Sequence, residues 1–151
     1  MLLSSRTGVA YGSTIAGLTM QLTSTTAEHS MEHAMSAFHP TLPHGAGLIM
    51  ISNEFYRFFI EKHACDERFI KMAKAMGIKD ADKPEDFLTA LYELQKACGV
   101  DNLRMSDYGF TQDEFMQLAV NARETNPGLY AANPCELTDE DAAEIYRKSF
   151  R

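Results

Sequence analysis

Histidine is concentrated in one short stretch of this chain. Four of the five histidines, His29, His33, His39 and His44, fall within sixteen residues. Imidazole is a common neutral ligand for Fe(II), Zn(II) and similar ions, and it exchanges protons near neutral pH. The stretch therefore predicts a site that binds a metal ion, moves a proton, or does both.

Three of these histidines have spacings that favour a common site. His29 and His33 are four residues apart, so on a helix their side chains share one face. His44 follows Pro43 at the start of the next apolar segment, and a short loop can return it to that face. The small, apolar sequence HGAGLIMIS permits close backbone approach and a wall with little water. Two histidines at this spacing also arise by chance on helix surfaces, so an all-α protein with incidental histidines stays open as an alternative.

The local sequence does not supply a complete set of metal ligands. Iron generally takes some oxygen ligands, and three imidazoles alone would be an unusual set for it. Glu28 and Glu32 are close in sequence but lie on other faces of the helix than the histidine pair. We expect each glutamate either to be solvated or to lie behind the ligands, where it would contact a metal-binding residue without binding the ion itself.

Helices are expected to position the histidines, because helical periodicity recurs along the chain and strand-like alternation hardly occurs. Apolar residues from Ile15 onward predict a long first helix that ends near Phe38, before two prolines. A second apolar helix is predicted from Leu48 to about Glu61. The histidines are thus expected in an arrangement of helix, short loop and helix.

The rest of the chain carries start and stop signals of further helices. Gly77 and Gly99 are expected to end two of them. Thr111 and Thr138 each begin a capping box, in which an acidic residue three positions later returns a hydrogen bond. Asn126-Pro127-Gly128 and Asn133-Pro134 are predicted to bracket an irregular segment before the last helix. Together these signals predict an all-α fold of six to eight helices with short connections.

Composition excludes several classes of protein. The 151 residues suit one domain, 1–151, and 21 acidic against 14 basic residues give a formal net charge of -7. Without a Lys/Arg cluster the chain lacks the positive surface that nucleic acids and anionic membranes require. It has no apolar run near the roughly 20 residues that span a bilayer and no secretory signal, so a cytoplasmic location is expected. Cys65, Cys98 and Cys135 are too widely spaced for a CxxC motif and are expected to be reduced thiols.

Three segments of the chain resemble one known family. They are GSTIAGL, then EHSMEHAMSAFHPTLPHGAGLIMIS, and near the C-terminus NPCELTDEDAAEIYRKSF. In this order they resemble the helical C-terminal half of the iron-containing (group III) alcohol dehydrogenases. The resemblance extends from about Ala10 to Phe150, and it implies the all-α, multi-helix C-terminal domain of the dehydroquinate synthase-like fold.

The resemblance implies roles for the histidines. His29 and His44 match the two metal ligands, for Fe(II) or Zn(II), that the helical domain contributes in this family. His33 matches a catalytic histidine that lies beside the nicotinamide and the substrate and is implicated in proton transfer. His39 matches no ligand and is expected to be a loop histidine. His44 stands one residue further from His33 than is usual in the family, a difference that the HPTLP loop can accommodate.

The resemblance also implies an incomplete enzyme. Family members carry, ahead of this segment, an α/β domain with the NAD(P)-binding loop and two further metal ligands, an aspartate and a histidine. We therefore expect this chain to be the metal-binding helical half of an enzyme that interconverts small alcohols and aldehydes. It is expected to be inactive alone and to be completed by an α/β domain in cis or in trans. The alternative is a non-enzymatic helical module that forms a homo-oligomer through the face left uncovered.

Overall fold

The computed structural model describes residues 2–151, and it contains no strand in that range. Eight α-helices and two short 3₁₀ helices follow one another within these described residues. The α-helices are α1 (Leu2–Leu22), α2 (Ala27–Phe38), α3 (His44–Glu61), α4 (Asp66–Ala75), α5 (Glu85–Ala97), α6 (Phe115–Thr125), α7 (Pro127–Ala131) and α8 (Asp139–Ser149). The 3₁₀ helices span Met105–Tyr108 and Gln112–Glu114. The predicted all-α class is confirmed.

Several helices begin or end at the residues that the local sequence predicts. Gly77 and Gly99, which follow α4 and α5, have φ values of 110° and 69°, a left-handed conformation that glycine adopts without a steric penalty. Both capping boxes form. The Thr138 hydroxyl accepts a hydrogen bond from the Asp141 amide, and the Asp141 carboxylate accepts one from the Thr138 amide. Thr111 and Glu114 form the equivalent pair of hydrogen bonds at the start of the 3₁₀ helix that precedes α6.

The predicted long first helix is wrong, because the chain divides there into α1 and α2. Residues 23–26, of sequence TSTT, separate the two helices, and Thr26 has extended backbone angles (φ -108°, ψ -175°). Serine and β-branched threonine favour helix starts and turns over helix interiors. The amide of Ala27 also donates a hydrogen bond to the Asn133 side chain at 3.1 Å. This contact with a distant part of the chain holds the new helix start.

Two other boundaries differ from the sequence prediction. The helix α3 begins at His44 rather than Leu48, because Pro43 takes the cap position and its carbonyl accepts hydrogen bonds from the Ala46 and Gly47 amides. The segment bracketed by Asn126-Pro127-Gly128 and Asn133-Pro134 is not irregular throughout, because Pro127–Ala131 forms α7. Its proline occupies the first helical position, where the missing N–H leaves no helical hydrogen bond unmade.

The helix α2 packs against α3, α6 and α7 and contributes to the main hydrophobic core. Two buried hydrogen bonds connect it to its neighbours. The Ser30 hydroxyl donates to the Ala122 carbonyl of α6 at 2.5 Å, and the Tyr146 hydroxyl of α8 donates to the Met31 carbonyl at 2.7 Å. These contacts fix the rotation of α2 about its axis, and therefore the direction in which its histidines project.

The helix α1 lies outside this core, since every residue from 3 to 22 is exposed. Its large exposed apolar residues are Leu3, Val9, Tyr11, Ile15, Leu18, Met20 and Leu22. Within residues 2–151, no helix combines the length and the apolar character needed to cross a membrane.

Candidate metal centre

The imidazole rings of His29, His33 and His44 converge at one place. One ring nitrogen of each lies within 4.8 Å of the others. The ring centroids are 5.2 Å apart for His29 and His44, 5.4 Å for His33 and His44, and 6.4 Å for His29 and His33. Nitrogens that share one zinc ion at about 2.0–2.1 Å lie within about 4 Å of each other. Small side-chain rotations therefore suffice for all three rings to reach one ion.

Two helices and a tight connection create this arrangement. His29 and His33 project from α2 one turn apart, and His44 is the first residue of α3. The connection bends through a hydrogen bond from the Leu42 amide to the His39 carbonyl at 2.9 Å. The Leu42 side chain is buried in the core, which holds the loop in place. The loop therefore returns His44 to the histidine pair, as the sequence predicts.

The electrostatics of the cluster favour a neutral imidazole at His29. Partial burial lowers the pKa of His29, and the neighbouring rings of His44 and His33 lower it further. Neutral imidazole is the form that binds a metal ion. His33 and His44 are exposed, whereas His29 is partly buried. The cluster therefore has a protein-covered side and an open side.

Glu32, for which the sequence leaves two expectations open, lies close to the candidate ligand His44. Its side chain is fully buried, and its carboxylate contacts Nδ1 of His44 and the hydroxyl of Ser36. Of the two expectations for this residue, solvation is therefore wrong. One feature of the sequence does indicate that Glu32 is near the cluster. It stands three residues after His29, which is about one helical turn along α2. The sequence does not show on which side of α2 the helix α3 packs. Glu32 faces His44 because α3 packs on the side of α2 that carries Glu32.

Glu28 is also buried rather than solvated, but it has a different partner. Its carboxylate accepts a hydrogen bond from the Tyr56 hydroxyl of α3 at 3.0 Å. Burial raises the pKa of Glu28 to about 7, against the opposing effect of the Tyr56 hydrogen bond. Burial also raises the pKa of Tyr56. This pair joins α2 to α3 next to the histidine cluster.

His39 lies outside the cluster, in the predicted loop position directly after α2. Its Nε2 is 2.9 Å from the Glu114 carboxylate, and its ring centroid is 3.8 Å from that of Phe110. His39 thus connects the end of α2 to the turn ahead of α6. The geometry gives it a packing role.

The donor set fits a borderline divalent metal ion. Imidazole nitrogens suit Fe(II) and Zn(II), and the three rings are arranged to approach one point. The cluster found within residues 2–151 contains no carboxylate oxygen. An oxygen ligand of the kind that iron generally takes therefore has to come from outside this cluster.

An all-α chain with three convergent imidazoles on an open face defines a helical domain with a candidate metal centre. The sequence pattern described as "Fe-containing alcohol dehydrogenase family, C-terminal" matches residues 3–150. The chain belongs to this family.

The relatives of this chain are considerably longer. The long-chain primary alcohol dehydrogenase AdhA of Thermoanaerobacter ethanolicus is 27% identical over 146 residues, which cover 93% of this chain and 36% of that protein. The 1,3-propanediol dehydrogenase of Klebsiella pneumoniae is 24% identical over 153 residues, which cover 98% and 38%. The crystal structure of an archaeal halo-thermophilic alcohol dehydrogenase from a Red Sea brine pool is similar with a TM-score of 0.82 and 28% identity, over 89% of this chain and 35% of that one. The chain thus spans little more than a third of the length of the relatives it matches.

Proposed function

We propose that this chain forms the metal-binding helical half of a dehydrogenase that interconverts small alcohols and aldehydes with NAD(P). The convergence of His29, His33 and His44 to within 4.8 Å, in a chain of this family, carries the proposal. All three longer relatives named above are described as dehydrogenases of alcohols or of a diol, which supports an alcohol as the substrate.

The three histidines are assigned different roles. His29 and His44 are the proposed metal ligands, one from each of the two helices that meet at the cluster. A bound Fe(II) or Zn(II) ion supplies Lewis acidity, which lowers the pKa of an alcohol. His33 is proposed to move the alcohol proton. Its exposure supports this role, because a proton carrier needs access to both the substrate and the solvent.

The NAD(P) site is proposed to lie in an α/β domain that this segment does not contain. The chain covers 36% of the length of the Thermoanaerobacter relative. Residues 2–151 also contain no strand from which a phosphate-binding strand, turn and helix unit could be built. An α/β domain, in the same polypeptide or in a separate chain, would meet the open side of the cluster. On this proposal, the segment alone has no dehydrogenase activity.

Complementation tests the proposal. The chain is combined, by fusion or by co-expression, with the part of the Thermoanaerobacter enzyme that it does not match, and alcohol-dependent reduction of NAD⁺ and NADP⁺ is followed. We expect activity from the combination and none from either part alone. The same combination with His29→Ala is the matched control, and it should lose both metal and activity. Turnover by the chain alone would contradict the proposal, as would a combination that holds metal but oxidises no alcohol.

One observation favours the alternative of a self-associating module, namely the exposed helix α1. Tyr11, Ile15, Leu18 and Leu22 repeat at intervals of four, three and four residues, the spacing of a coiled-coil seam, and are between 43% and 87% exposed. Arg6 is the single charged residue of α1, so little charge repulsion opposes the pairing of two copies. Monomers rarely expose apolar patches larger than a few hundred Å². The alternative proposal is therefore a homo-oligomer joined through α1, rather than through the face around the histidines.

Light scattering tests this alternative. We expect the wild-type chain to be larger than a monomer, and Leu18→Lys to dissociate it by placing a charge in the seam. Met116→Lys is the matched control, because Met116 is 44% exposed on α6, outside α1. A wild-type chain that stays monomeric at high concentration would rule the alternative out.

A further inference from the structure

Glu32 is fully buried between α2 and α3, and it has no role in the assignments made so far. A buried carboxylate loses its hydration, and hydrogen bonds have to replace the lost water. Both oxygens of Glu32 have a partner: Oε1 accepts a hydrogen bond from the Ser36 hydroxyl, and Oε2 contacts Nδ1 of His44. The residue therefore connects the core of the domain directly to a candidate metal ligand.

The contact with Glu32 determines which nitrogen of His44 is available to a metal ion. A carboxylate oxygen accepts hydrogen bonds, so the Nδ1 atom that contacts it carries the proton. In the neutral ring Nε2 is then the unprotonated nitrogen, with a free lone pair. In free neutral histidine the opposite tautomer, protonated at Nε2, predominates. Glu32 thus reverses the intrinsic preference of the ring.

The packing leaves room for this contact at Gly47. A Cβ atom placed at Gly47 would lie 2.7 Å from Cγ and 2.9 Å from Oε1 of Glu32. These separations are too short, so a larger residue at this position would displace the carboxylate from His44. The first turn of α3 therefore supplies both the histidine ring and the space for the group that orients it.

We propose that Glu32 is a positioning residue that fixes the tautomer and the ring orientation of His44, so that Nε2 is presented to the metal ion. The proposal rests on the proposed function for the presence of the ion, whereas the tautomer is inferred from the contact between Glu32 and His44. Carboxylates that accept a hydrogen bond from a ligand histidine raise its basicity, and their loss typically lowers metal affinity about 10- to 100-fold.

The tautomer can be measured without metal and without activity. Long-range ¹H–¹⁵N NMR spectra of the full chain at about pH 8, where imidazole is ordinarily neutral, show which nitrogen of each ring is protonated. We expect His44 to be protonated at Nδ1. In Glu32→Met, which nearly preserves the side-chain volume and removes both acceptor oxygens, the Nε2-protonated form should become the major one. Glu32→Gln keeps one acceptor oxygen and should rescue the Nδ1-protonated form.

Glu28→Met is the matched control. It removes a second buried carboxylate from the same helix, but the partner of Glu28 is Tyr56. We expect the tautomer of His44 to be unchanged in this variant. A wild-type His44 protonated at Nε2 would overturn the proposal even if no variant folds. An equal response to Glu28→Met and Glu32→Met would overturn it as well.

Metal binding separates this proposal from the proposed function. Competition with a chelating dye should show that the affinity for Zn(II) falls about 10- to 100-fold in Glu32→Met, and much less in Glu28→Met. Equal affinity with and without Glu32 would overturn the positioning role alone. If His44 is protonated at Nδ1 but the chain combined with an α/β domain binds neither Zn(II) nor Fe(II), the proposed function is contradicted and only the tautomer assignment is supported.

Discussion

At the scale of single residues, the three converged histidines differ in their surroundings. His29 is partly buried, with a pKa lowered by that burial, and His44 has a buried carboxylate behind its ring. His33 is exposed on the open side of the cluster. This asymmetry supports two ligands held in place by the protein and one ring that is free to exchange a proton.

The first prediction concerns these histidines in the enzyme completed by an α/β domain. His29→Ala and His44→Ala each remove a proposed ligand, so metal content and turnover should fall together. His33→Ala should retain the metal but lower turnover about 10²- to 10⁴-fold, the usual contribution of general acid–base catalysis. Metal analysis and turnover, measured on the same samples over a range of pH, test both expectations.

His39→Ala is the control for these variants, because His39 contacts Glu114 and Phe110 outside the cluster. It should change metal content and turnover little. If His33→Ala loses the metal while His29→Ala keeps it, the assignment of roles is wrong even though the chain belongs to this family.

The second prediction concerns the three thiols, all of which are free as the sequence predicts. Burial raises the pKa of Cys65 and of Cys135, whereas Cys98 is exposed at the end of α5. A raised pKa leaves less of the reactive thiolate at neutral pH. Iodoacetamide should therefore label Cys98 first, and labelling of Cys65 and Cys135 should accelerate as the pH rises. Peptide mass spectrometry measures the order, and faster labelling of Cys65 than of Cys98 at neutral pH would contradict it.

At the scale of the helices, α2 is the element on which the site depends. It carries two of the three converged histidines and both buried glutamates. Its rotation is set by hydrogen bonds to α6 and α8, and the position of α3 relative to it decides where His44 lies. The geometry of the site therefore depends on the packing of α2 against its neighbouring helices.

The third prediction tests one of these connections. Tyr146→Phe removes the hydrogen bond to the Met31 carbonyl and leaves the ring packing in place. The free energy of unfolding should fall by about 1 kcal/mol, the usual net contribution of a buried hydrogen bond. Denaturant titration measures the change. Tyr92→Phe, at a tyrosine that is 46% exposed on α5, is the control and should be close to neutral.

At the scale of the whole molecule, the helices that follow α1 share one hydrophobic core, and two surfaces of the molecule are open. One is the face on which the histidines converge, and the other is the exposed apolar helix α1. On the two proposals made above, the first would meet an α/β domain that completes the metal site, and the second would meet a further copy of the chain. The two surfaces are built from different helices, so separate variants can test them.

The fourth prediction concerns the chain by itself. On the proposed assignment it contributes two of four metal ligands, so Zn(II) or Fe(II) should bind no more tightly than in the micromolar range. Calorimetric titration measures the affinity, with His63→Ala as a control, since His63 is paired with Asp66 outside the cluster. A stoichiometric site of nanomolar affinity would show that this chain holds a complete ligand set, and the proposal of half an enzyme would have to be given up.

The sequence by itself determined the features that depend on nearby residues. Helix ends at Gly77 and Gly99 and the capping box at Thr138 follow from interactions that span only a few positions. The convergence of His29 and His44 was predictable for a similar reason, because one helical turn and one short loop connect them. The family could be identified from three short segments of the sequence, which begin with GSTIAGL, EHSMEHAM and NPCELTDE.

Only the tertiary structure decided where α1 ends and what lies behind His44. The start of α2 depends on a hydrogen bond between Ala27 and Asn133, which are 106 positions apart. The rotation that turns Glu32 toward α3 depends on contacts of α2 over 92 and 115 positions. A helical pattern shows which residues share a face, but burial and partner depend on which distant element packs there. For that reason the sequence left open whether Glu32 is solvated or lies behind a metal ligand, and the fold shows it buried against His44.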